Sequence, residues 1–80
     1  MNIRFLVVRI AIQNCYAFLR EDDTFHTEND YRNHMRNLQK YIDNDFASKA
    51  EEQEINRLIR ILQVRYDEQV MQDYLVDYAA

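Results

Sequence analysis

Residues 1–19 read M-N-I-R-F-L-V-V-R-I-A-I-Q-N-C-Y-A-F-L, and the fold turns on whether this run is a helix or a strand. Placed at about 100° per residue, its apolar groups cover nearly every side of a helix. Only one narrow polar line remains, formed by Asn2, Arg9, Gln13 and Arg20, with Arg4 and Asn14 lying off it. A helix apolar almost all round belongs in the middle of an assembly. The competing reading is a strand through Phe5–Ile12, because Val7, Val8, Ile10 and Ile12 are β-branched. No second segment looks like its partner, so such a strand would have to pair between subunits. The helical reading is preferred, and it predicts an oligomer core of Leu6, Val7, Ile10, Cys15 and Phe18.

Composition agrees with helices. The 80 residues contain neither glycine nor proline. Hairpin turns of the favoured types use Gly or Asn at positive φ, and β-proteins are punctuated by both missing residues. Their absence predicts long helices joined by short polar linkers, and it removes every glycine-rich phosphate loop. Eighty residues make a single domain, spanning 1–80. A domain of that size buries only roughly 60–65% of its unfolded surface, so a second subunit or partner is a common supplement.

Working outward, residues 20–27 (R-E-D-D-T-F-H-T) read as a linker in which Glu21, Asp22 and Asp23 form a solvated turn or a helix N-terminus; Thr24 or Thr27 can cap the next helix, Thr27 better because Asp30 follows three residues on. A second helix is expected over Glu28–Asp43, where Tyr31, Met35, Leu38 and Ile42 form one stripe that Tyr41 broadens. Asn44 is the expected substitute for a C-cap glycine. Ser48 and Glu51 then form a capping box that opens a third helix. Its first stripe is Ile55, Leu58, Ile59, Leu62 and Tyr66; a second, Val70, Met71, Tyr74, Leu75 and Tyr78, is rotated by roughly 100° or more. Either the helix breaks near Tyr66–Glu68, or one long helix faces two different neighbours. The intervening residues are acceptable helix formers, which favours the unbroken helix.

Charge is unevenly placed. Residues 1–20 carry three arginines and no acid, whereas residues 47–80 carry seven acids against four bases, within a net charge of −4. That acidic balance disfavours direct nucleic-acid binding and suits a basic protein surface. A basic face of Arg32, Arg36, Lys40, Arg57 and Arg60 could be assembled, although a pair such as Glu28–Arg32 reads equally as a solvated helix surface. The single cysteine, Cys15, lies inside the apolar run and reads as a buried hydrophobe in a reducing cytoplasm. Arg4 and Arg9 interrupt the first run, so neither a membrane span nor a secretion signal is expected.

Chemistry finds little purchase. His26, Asp30 and His34 share four-residue spacing, yet His26 precedes the expected cap and no further ligand accompanies the set, so no metal site is expected. Ser48 is committed to capping, Cys15 has no evident base, and Glu51, Glu52 and Glu54 complement a helix dipole. Neither an enzyme nor a cofactor is expected. The expected fold is an all-α bundle of three helices with a long third helix, forming a homodimer or larger assembly. Its expected role is protein binding through Val70, Met71, Asp73, Tyr74, Leu75, Asp77 and Tyr78, tyrosine and methionine being enriched at interfaces. By analogy with small acidic proteins of phages and mobile elements, it would act as an inhibitor or adaptor of a larger protein, the alternatives being a nucleic-acid-associated regulator or a structural homo-oligomer without outside partner.

Overall fold

In a computed structural model, residues 3–21 and 24–79 are described, together with the side chains of all of these except residues 4 and 77–79. Three helices account for most of them: α1 (Ile3–Arg20), α2 (Glu28–Asp43) and α3 (Lys49–Ala79). No strand occurs among the described residues. The opening run is therefore helical, and its β-branched residues are accommodated by burying one face. Asn2, Asp22 and Asp23, and the side chains of Asp77 and Tyr78, lie outside the described residues.

Local chemistry explains each boundary. Thr27 caps α2, its Oγ1 accepting from the Asp30 N–H at 3.0 Å, while Asp30 Oδ2 accepts from the His26 N–H at 3.0 Å. Ser48 and Glu51 form the expected reciprocal box: Ser48 Oγ accepts from the Glu51 N–H at 3.2 Å, and Glu51 Oε1 accepts from the Ser48 N–H at 2.9 Å. The other Glu51 carboxylate oxygen is buried without a hydrogen-bond partner. At the end of α2, Asn44 is the cap residue, but Asp45, not Asn44, takes the left-handed conformation at φ 57°. The Phe46 N–H reaches the Tyr41 carbonyl at 2.9 Å and the Asp45 N–H reaches Ile42 at 3.1 Å, which is a Schellman closure built without glycine.

Each helix touches the other two, in a molecule measuring 55 × 22 × 19 Å. The centre of packing is the first half of α3, where Ile55, Leu58 and Leu62 are fully buried. Around them lie Val8, Ala11, Ile12 and Cys15 from α1, Leu38 from α2, and Phe25 from the linker. Burying each large aliphatic side chain contributes about 1.5–3 kcal/mol, before the entropy of ordering it. The two companions of α1 cover one of its faces and leave Ile3, Phe5, Leu6 and Ile10 outside. In the linker, Phe25 is only 2% exposed, which the sequence reading did not anticipate.

Phe25 is held by aromatic neighbours. Its ring lies 5.0 Å from Phe18, and 5.3 Å from both Tyr31 and His34, while Tyr31 stacks on Tyr66 at 4.0 Å. The third helix is unbroken from Lys49 to Ala79, so no break near Tyr66–Glu68 accompanies the change of stripe.

Candidate protein-docking surface

The packed body ends at a backbone clamp. Gln69 on α3 reaches the linker with both ends of its amide: Oε1 accepts from the Phe25 N–H at 2.9 Å, and Nε2 donates to the Phe25 carbonyl at 2.7 Å. One turn earlier, Arg65 donates to the Leu19 carbonyl at 3.2 Å, satisfying an orphan acceptor at the end of α1. Lower down, the Tyr16 hydroxyl donates to Glu54 at 2.7 Å and accepts from Arg57. The bond to Glu54 is the leading cause that raises the Tyr16 pKa above its ordinary value. As the chain proceeds along α1 its partners proceed along α3, so these two helices run in the same direction.

Beyond Gln69, the large apolar side chains described on the third helix are exposed. Val70, Met71, Tyr74, Leu75 and Val76 are between 47% and 67% exposed. Of the residues expected to bind a partner, Val70, Met71, Tyr74 and Leu75 are on this extension with Asp73 beside them. Val64, Met71 and Leu75 form the apolar lining of a shallow open groove edged by Thr24, Arg65, Asp67, Glu68, Gln69 and Gln72, a net acidic edge with one cation. Val64 was missing from both sequence stripes; its 7-4 spacing to Met71 and Leu75 was the available signal.

A second apolar surface lies on α1. Ile3, Phe5 and Ile10 are more than half exposed, Leu6 joins them, and the Arg9 guanidinium sits 5.6 Å from the Phe5 ring centre. The residues expected in an oligomer core are thus divided. Leu6 and Ile10 face outward, Val7 is half-buried, and Cys15 and Phe18 are taken up by the chain's own interior. Burial pushes the Cys15 thiol up to about 11.

The histidine set does not converge. His26 is exposed, and His34 Nε2 lies 3.6 Å from Asp30 while its ring packs on Phe18 at 4.6 Å. Among the described residues, no group of three His, Cys, Asp or Glu side chains is placed to hold a metal. Between the three helices a cavity of about 100 Å³ is lined in part by Ala11, Cys15, His34 and Leu62. Among the described residues, no helix is long and apolar enough to cross a membrane. Comparison of the chain with known protein families, with curated proteins and with solved structures finds no match.

Proposed function

We propose that this chain is a small helical protein-binding module that acts by occupying the surface of a larger protein, as an inhibitor or adaptor, with the α3 extension as its docking face. One observation carries the reading: five large apolar side chains are exposed on α3 past the Gln69 clamp. Exposed apolar patches rimmed by polar groups mark interaction sites. The rim here is acidic, with Asp67, Glu68 and Asp73 and no lysine or arginine from residue 66 onward, so the partner surface is basic. Self-association of the three-helix bundle is part of the same reading, since α1 keeps an apolar face uncovered.

Nucleic-acid binding is the weaker reading. Of the five residues in the basic face, Arg32 pairs with Glu28 at 2.8 Å and Arg57 bonds to Tyr16. The first arrangement offsets a positive charge, and the second commits one guanidinium donor within the chain.

A photoreactive side chain at position 75, compared with one at Asn33 on the exposed surface of α2, tests the docking face in source cells. The expected result is a crosslink to one foreign protein from position 75 alone, lost in a Met71→Asp background. Equal crosslinking from the two positions, or crosslinks only between copies of the chain, would overturn it.

A further inference from the structure

We infer that a second copy of this chain, running in the opposite direction, covers the α3 extension with the outer face of its own α1, so that self-pairing masks the proposed docking face until a basic partner competes for it. The inference rests on the reading of that extension as a docking face.

Charge complementarity singles out this occupant. By sequence, the first ten residues carry two arginines, Arg4 and Arg9, and no acid, and residues 66–80 carry four acids and no base. Each cluster accompanies an exposed apolar face: Phe5, Leu6 and Ile10 on α1, and Met71 and Leu75 on α3. A basic apolar helix and an acidic apolar helix of one chain are complementary in both sign and hydrophobicity.

The placement also runs against each helix's own dipole. The first turn of α1 contains no acid, and the last turn of α3 contains no base. Helix N-termini favour negative charge and C-termini positive charge, so both ends are charged in the unfavourable sense. Setting the basic start of one α1 beside the acidic end of another copy's α3 offsets both mismatches at once.

One chain cannot make this contact alone. With α1 and α3 parallel and tied at Leu19 and Arg65, Phe5 and Leu75 lie roughly 35 Å apart at a rise of 1.5 Å per residue. Two copies side by side in opposite directions bring each face against its counterpart twice, about a two-fold axis. That is the smallest closed assembly satisfying both faces.

The test is a charge exchange between copies. Arg9 and Glu68 are exposed, so Arg9→Glu and Glu68→Arg are expected to leave the circular dichroism and thermal unfolding of the monomer intact. Sedimentation equilibrium at about 50 mM salt reads the association, exposed charges being only partly screened there. The wild type is expected above its 9.8 kDa monomer mass. Each variant alone is expected to self-associate roughly tenfold more weakly, since like charges then face each other. An equimolar mixture of the two variants restores wild-type affinity, because both contacts of the mixed pair regain opposite charges. A wild type that stays monomeric at about 100 µM, well above useful micromolar affinities, would overturn the pairing. So would a mixture no tighter than its components. If position 75 still crosslinks one foreign protein in either case, the docking reading stands and self-pairing alone falls; if it does not, both fall.

Discussion

Among the described residues, Asp45 is the one whose backbone takes a positive φ. Its φ of 57° ends α2 in a conformation that glycine adopts freely and that costs an L-residue about 1–2 kcal/mol. Asp45→Gly is therefore expected to stabilise the protein by about 0.5–1 kcal/mol, net of the added freedom of its unfolded chain, measured by urea unfolding. Asp45→Val at the same position should destabilise it. Cys15 gives a second test at this scale. Its folded pKa of about 11 stands above the ordinary 9.0, so the folded state retains the thiol proton longer than the unfolded state does. Stability should be unaffected by this group below pH 9 and should fall as pH rises from 9 to about 11. Tyr31, raised chiefly by burial, acts in the same direction, so the contribution of Cys15 is the part of the slope that Cys15→Ala removes. At neutral pH the thiol should react with an aromatic disulfide reagent only as fast as the chain opens.

At the scale of elements, what could be read from the sequence was what depends on near neighbours. The two caps at Thr27 and Ser48 each need only a hydroxyl and a carboxylate three residues apart, and both formed as expected. The unbroken third helix followed from a run of good helix formers. Phe25 was not legible as core because its burial needs all three helices at once, Phe18 from α1, Tyr31 and His34 from α2, and Tyr66 with the Gln69 amide from α3. A lone aromatic between charged residues carries no periodicity to announce it. The clamp then makes a quantitative prediction. Gln69→Ala removes two backbone partners and should cost about 1–3 kcal/mol, whereas Phe25→Ala empties a packed site and should cost about 3–5 kcal/mol. Amide exchange at Phe25 should accelerate far more in Gln69→Ala than exchange within α2, and uniform acceleration would mean that the clamp is not a local tie.

For the whole molecule, the split between body and extension predicts opposite responses to substitution. Leu58 is fully buried, and Leu58→Ala should cost about 2–5 kcal/mol in thermal or urea unfolding. Leu75→Asp should leave the stability of the monomer within about 0.5 kcal/mol, because Leu75 is 55% exposed, while abolishing whatever association that face makes. A loss of fold in Leu75→Asp would show that the extension belongs to the core. The sequence could not reveal this split, since apolar periodicity marks which residues share a face and says nothing of whether that face is covered. The opening run shows the same limit: its helical character was readable from residue spacing, but its half-bare packing depended on where two distant helices came to rest. The parallel course of α1 and α3 carries one more consequence. Asp67, Glu68, Asp73 and Asp77, with no base among them, gather toward one tip of a rod 55 Å long, while acids and bases mix toward the other. A solitary copy should therefore turn readily in an electric pulse and give strong transient birefringence, whereas two copies lying head against tail side by side would cancel each other's moments and nearly extinguish the signal.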